Sequence, residues 1–342
     1  MIALSEDDLL KTIGITTTVP SEAIFAAGLR PLDLNNVFIT SAEAPRLVEE
    51  AEREGFPRNC CSWTKGCYAT ARRLGLKRVV AVTEGDCSMT RALMEMLSSK
   101  GVEVTPFAYS FRREPGLLRL RLERFCADLG TSLEAAEEWR KRLAESRASA
   151  REVDRLCWQE DKVGSEEAHV QLISCSDFNG DPEEYLRSAR DLIAQAEERQ
   201  AAKATQRLAV VGIPPICEDF YPFIESLGAR VVFHEAPRQF AMPEGGADLV
   251  EQYGRYTYPY DIFGRIGDMV EQCRERRVDG VIHYVQSFCF RQVQDVLIRQ
   301  HVNLPVLTLE CDRPGPLDAA CRTRIEAFCE MLPATGRAGG ER

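Results

Sequence analysis

Three cysteines in this sequence fall where a thiolate is most easily made and held. Cys87 lies in EGDCS, between the apolar run KRVVAVT (77–83) and a helix expected from about Ser88 to Ser99. Cys289 takes the equivalent place in QSFC, after the run GVIHYV (280–285), and Cys61 opens a helical stretch in NCCSWTKGC. At a helix N-terminus the dipole lowers a thiol's pKa, and free backbone N–H groups can donate to sulfur. Thiolates from separate strand-to-helix junctions suit one face of an iron–sulfur cluster better than they suit a core. Zinc is less apt, because structural zinc sites use paired C-x2–4-C knuckles, and no such pair occurs here.

The other cysteines divide by position. The total of 13 is odd and widely spaced, which argues against a disulfide framework in a reducing compartment. Many can be small core hydrophobes. Cys273 follows Phe263, Ile266 and Val270 at helical spacing, and Cys321 and Cys329 share a face with Ile325 and Phe328, so these three read as core. Cys157, beside Trp158, reads as helix packing with ligation as the alternative. Cys67, Cys126 in RFCADLG, Cys175 after HVQLIS, Cys217 in GIPPICED and Cys311 in ECD are left open by position alone.

The elements that must place these residues alternate. The first half reads as the turn-like RPLDL, the apolar run NNVFIT (35–40), a helix over 61–74, a strand over 77–83, a helix over 88–99 and a strand over 102–108. A charged helical stretch spans about 117–161, with Glu and Arg three and four residues apart as on a solvated face. HVQLIS (169–174) reads as a strand, and the turn FNGDPEE leads into a helix ending near Lys203. Strands over 207–213, 229–235, 280–285 and 304–309 then alternate with helices, the last over about 318–332. This pattern predicts an α/β protein of two parallel-sheet, flavodoxin- or Rossmann-like domains with an added helical segment. The expected division is 1–205, including the 117–161 insertion, then 206–332, then a flexible Gly-rich tail over 333–342. No short-period repeat occurs, although the halves look architecturally alike. Ligands of such sheets bind at the carboxyl ends of the strands.

Bulk properties narrow the function further. A chain of 342 residues exceeds what one hydrophobic core usually serves. Its 44% hydrophobic and 28% charged residues are ordinary for a globular enzyme. A formal net charge of −10 argues against nucleic acid as the main partner. The start MIALSEDDLLKTIG has neither the basic region nor the apolar core of a secretory signal, and no run approaches the roughly 18 apolar residues of a membrane span. A cytoplasmic location with reduced thiols is expected.

Several segments resemble a known family. VPSEAIFAAGLRPLDL (19–34), NCCSWTKGC (59–67), VVAVTEGDCSMTRALMEML (79–97), TYPYDIFGR (257–265), HYVQSFCFRQ (283–292) and DRPGPLDAACRTRIEAF (312–328) are similar to the 2-hydroxyacyl-CoA dehydratase and benzoyl-CoA reductase subunits. The resemblance implies a [4Fe–4S] cluster between two α/β domains, held by Cys61, Cys87 and Cys289. It also implies a separate ATP-hydrolysing activator that supplies electrons, and this sequence has no G-x4-G-K-[ST] loop of its own. Within the family the chain most resembles the double-cubane cluster proteins, whose [8Fe–9S] cofactor needs six thiolates. Cys67, Cys126 and Cys175 would complete that set, with Cys157 and Cys217 in reserve and Cys60 as an alternative to Cys61. The implied activity is low-potential reduction of a small molecule by a homodimer under anaerobic conditions. His283, Tyr284, Gln286 and Arg238 are candidates for proton or polar contacts, weighed against a purely structural role at strand ends. The alternatives are a single-[4Fe–4S] dehydratase subunit with a CoA-thioester pocket and an unlike partner subunit, and a non-enzymatic electron-carrying or cluster-storage protein. A zinc-binding regulator is a more distant one.

Overall fold

Strands buried on both faces read as continuous apolar runs, and Val79–Val82 is such a run, buried throughout. The computed structural model describes residues 5–85 and 87–333; the tail expected beyond Pro333 lies outside the described residues. Strands β1 (Thr12–Ile15), β2 (Arg30–Asp33), β3 (Arg78–Glu84) and β4 (Glu103–Ala108) form one parallel sheet in the order β2-β1-β3-β4. Strands β5 (Gln206–Gly212), β6 (Ala229–His234), β7 (Gly280–Val285) and β8 (Val306–Glu310) form a second in the order β6-β5-β7-β8. The two orders are the same, and each sheet reverses its winding beside its first strand. There Ile15 pairs with Val80, and Gly212 pairs with Tyr284. The crevice at such a switch point is where open α/β sheets bind ligands.

Three local expectations are corrected. RPLD is strand β2 and not a turn, because it pairs along β1 from Thr12 with Arg30 to Ile15 with Asp33. The run NNVFIT is mostly helical, over Leu34–Ile39, with the Asp33 side chain capping the Asn35 N–H. HVQLIS belongs to the helix Ser165–Ile173 and the turn after it. Its buried Ala168, Gln171 and Leu172 follow helical spacing, and the Glu167 carboxylate reaches back to the Gly164 N–H.

The charged stretch forms two helices, Pro115–Asp128 and Leu133–Trp158, broken at Gly130 and restarted by the Ser132 cap. Its solvated-face reading holds only in part. Arg147 is buried against Glu22 at 2.8 Å, and Asp154 is buried against Arg276 at 2.6 Å.

The cores interleave the two halves of the sequence. Tyr253, Tyr256, Tyr258 and Tyr260 pack with Ile13, Ile15, Val80 and Val82 of the first sheet. Phe38, Leu47 and Ala69 pack with Ile282 and Tyr284 of the second and with Phe220 of the helix after β5. Side chains from each half thus close the space between the strand ends. Packing there is tight, since a Cβ on Gly66 would stand 2.4 Å from the Phe38 ring. Gly66→Ala should therefore cost about 1–3 kcal/mol, read as a lower midpoint of urea unfolding. An unchanged midpoint would mean that the ring moves freely. No helix among the described residues is long and apolar enough to cross a membrane.

Candidate functional site

The carboxyl ends of both sheets open onto one cavity of about 100 Å³. Thr16 and Thr17 reach it from the end of β1, Asp33 and Asn35 from the end of β2, and Cys87 from the loop after β3. Ile213 and Pro214 follow β5, and Cys289 and Arg291 follow β7. Cys61 and Cys67 come from the start of the helix Ser62–Leu74, and Trp63, Leu93, Ile173 and Phe240 supply apolar wall.

Local sequence explains the placement. Cys61 is the N-cap of its helix, and Cys289 is the N-cap of the short helix Phe290–Val293. Cys87 stands ahead of its helix, which begins only at Thr90, so its sulfur takes the Met89 N–H at 3.3 Å. Gly85 makes the preceding turn at φ +109°, where a Cβ would lie 2.6 Å from the Pro259 carbonyl. Only glycine lets the β3 loop pass the TYPYD segment so closely.

Gln286 joins the two sides of the cavity. Its Oε1 accepts from the Cys61 thiol at 2.9 Å and from the Ser62 N–H at 3.0 Å. Ser62 in turn donates to the Asp312 carbonyl, whose side chain accepts from the Ser287 N–H at 2.7 Å. The Cys61 helix and the Cys289 loop are thereby tied to the same strand ends. Gln286→Leu would leave the buried Ser62 N–H without its acceptor. It should lower stability by about 1–3 kcal/mol in urea titration, and an unshifted curve would show that water replaces the amide.

Electrostatics qualify the expectation from helix dipoles. Burial, with the thiols of Cys87 and Cys289 nearby, pushes the Cys61 thiol up to about 12. Desolvation therefore outweighs the dipole here, and three thiolates share this cavity only when a cation compensates them. An iron–sulfur cluster is such a cation, so the donor set fits it. Among the described residues no three His, Cys, Asp or Glu side chains converge on the position of a single ion.

The remaining predicted residues are placed as follows. Cys67 lines the same cavity and donates to Asn35 Oδ1 at 3.1 Å. Cys60 does not line it but borders an adjoining cleft with Cys61, Arg58 and Arg313. Cys126 and Cys175, unlike Cys67, do not line this cavity. Cys126 lies in the first core with Leu122 and Phe125, and Cys175 meets Tyr185 Oη at 3.1 Å. Cys175 follows a helix and not a strand end, so its sulfur faces that core. Cys157 packs with Val153 and Ala168. Cys217 lies beside Tyr284, away from the cavity. Cys273 is core as expected, but on a face with Ile262, Ile266 and Met269, because Phe263 and Val270 are exposed.

Of the four polar candidates only Gln286 touches a cavity thiol. His283 is buried with its Nδ1 2.8 Å from Asp295, and Arg238 is paired with Asp268 at 2.9 Å. Tyr284 is in the second core, where its oxygen accepts from the Ile216 N–H at 3.0 Å. None of these three lines the cavity.

Sequence reasoning missed Arg291, Tyr258 and the acids. Arg291 lies 3.9 Å over the Tyr258 ring and donates to the Tyr258 carbonyl at 3.2 Å, placing a cation in the cavity wall. Its signal was its position in SFCFRQ, two residues after Cys289. Asp33 is buried in the wall, and its N–H donates to Asp177 at 2.7 Å. Burial, with Asp33 close by, raises Asp177 to about 7, and burial raises Asp33 as well. These acids are 144 residues apart in the chain, so no spacing announces them.

A family model described as 2-hydroxyglutaryl-CoA dehydratase, D-component, matches residues 16–332. The chain belongs to that family. No curated protein matches it. Membership makes it a component of a dehydratase-type enzyme, and proteins of this family normally work with an activator component. The matched residues run from just after β1 through β8 and take in every thiol of the cavity.

Proposed function

We propose that this protein is the cluster-bearing subunit of a 2-hydroxyacyl-CoA dehydratase-type enzyme, acting on a small substrate with electrons from an ATP-hydrolysing activator. Cys61, Cys87 and Cys289 would hold a [4Fe–4S] cluster. The observation that carries this reading is their meeting at one cavity between the switch points of two parallel sheets. A bound cluster would supply low-potential electron transfer to a substrate in the cavity. The protein's own part is positioning and shielding. Gln286 fixes the head of the Cys61 helix by accepting from the Ser62 N–H, and Asn35 orients Cys67 by accepting from its thiol. Trp63, Leu93, Ile213 and Phe240 exclude water, and Arg291 offers positive charge to an anionic substrate group. A cytoplasmic homodimer is part of the proposal.

A second reading, the [8Fe–9S] reductase, is favoured by one observation. Cys67 in the cavity and Cys60 in the adjoining cleft bring the local thiols above what one cubane needs. Iron and acid-labile sulfide, measured per chain after oxygen-free purification, separate the two. About four irons support the single cubane, and about eight with slightly more sulfide support the bridged pair. Protein that stays iron-free after anaerobic reconstitution would overturn both. A loaded protein with no turnover beside any activator would instead be an electron carrier.

A further inference from the structure

Outside the cavity, three more thiols gather at the ends of the second sheet's strands. Cys217 follows β5, Cys311 follows β8, and Cys321 sits in the first turn of the helix Ala319–Met331. The Cys311 and Cys321 sulfurs are 3.3 Å apart. Cys217 packs against the core cluster that holds Cys311 and Cys321; its thiol donates to the Arg313 carbonyl at 4.0 Å, and Tyr284 Oη donates to its sulfur at 3.6 Å. The segments carrying them are pinned together. Cys217 bridges to Gly315, and the Glu218 N–H donates to the Gly315 carbonyl at 3.1 Å.

Their exposures differ in a useful way. Cys217 is partly exposed, whereas Cys311 and Cys321 are only 6% and 5% exposed. One thiol can therefore meet a solute while two wait behind it. The Cys311 thiol and the Tyr284 hydroxyl hold the Cys217 thiol below its ordinary value and favour the nucleophilic thiolate. None of the three lines the cluster cavity.

We propose that Cys217, Cys311 and Cys321 form a thiol–disulfide site that reacts with hydroperoxides, with Cys217 as the entry point and a Cys311–Cys321 disulfide as the product. The Cys217 thiolate attacks one peroxide oxygen, the O–O bond breaks, and Cys217 becomes a sulfenic acid as the second oxygen leaves as water. The Cys311 sulfur then displaces the sulfenic oxygen as water and forms a Cys217–Cys311 disulfide. Cys321 attacks Cys311 and releases Cys217 as a thiol. Two thiols lose two electrons and two protons, and one hydrogen peroxide becomes two waters. The site does not depend on the cluster assignment, because its geometry involves none of the cavity thiols.

The test uses the full-length protein, purified without oxygen and treated with one equivalent of hydrogen peroxide. Remaining thiols are blocked with N-ethylmaleimide, and the digest is mapped by mass spectrometry. The expected product is a peptide pair joined through Cys311 and Cys321. Cys217→Ser should slow its formation at least about tenfold, and Cys321→Ser should trap the Cys217–Cys311 disulfide instead. Wild-type protein with all three thiols still blocked by maleimide would overturn the site. Disulfide formation at the wild-type rate in a folded Cys217→Ser protein would overturn the entry role.

Discussion

Anaerobically purified Cys87→Ser and Cys289→Ser proteins should lose most of their iron, on the order of tenfold relative to wild type. Cys126→Ser and Cys175→Ser should keep it. A serine oxygen is a hard ligand that stays protonated near neutrality, and iron–sulfur clusters select soft thiolates. Cys87 and Cys289 leave opposite sheets and meet at one cavity, so each removes a whole side of the support. Cys126 and Cys175 lie in the first core with Phe125 and Tyr185, where a small polar change disturbs packing but no cavity wall. Iron analysis beside the visible spectrum reads the result. Full iron in Cys87→Ser together with loss in Cys126→Ser would reverse the assignment of ligands.

The largest stability effect is expected at Glu235. Its carboxylate takes the Arg265 Nε at 2.6 Å and Nη2 at 2.9 Å, and both side chains are fully buried. Glu235 also accepts from the Gly212 N–H at 2.8 Å, at the end of β5. Arg265 passes the connection on to Gln294, at 2.6 Å, just beyond the helix that Cys289 caps. Glu235→Ala leaves a guanidinium buried with no carboxylate. That change should cost about 3–5 kcal/mol, and the double variant Glu235→Ala/Arg265→Met should recover part of it. Urea unfolding of the two proteins checks this. Equal midpoints would show that Arg265 escapes to solvent. Because the network ends at the Cys289 loop, the single variant should also retain less iron than the double.

The cysteine trio was legible because two signals coincided. Apolar runs of strand length mark the sheets, and a cysteine just after such a run is placed at a strand's carboxyl end whatever the details. Cys87 and Cys289 each follow such a run, and NCCSWTKGC carries its own helix. The strands 78–84 and 280–285 matched expectation for the same reason: a central parallel strand needs apolar residues on both faces. The edge strand RPLD does not, and the four-residue TIGI is too short for any periodicity to declare itself. HVQLIS was misread because a short apolar run looks alike in a strand and in a buried helix.

The sequence by itself therefore determined the fold class, the alternating strands of the second sheet and the cysteines that stand at strand ends. Only the tertiary structure decided which of the remaining thiols share their cavity. Cys67 does, because its helix starts at Cys61, whereas Cys126 and Cys175 turn into a core built from residues far along the chain. It also decided that Asp33 meets Asp177, that Glu235 meets Arg265, and that Cys311 meets Cys321. Periodicity reports the face on which a side chain lies. What that face meets depends on how the two sheets and their interleaved cores pack, and that is set by the summed burial of the whole chain.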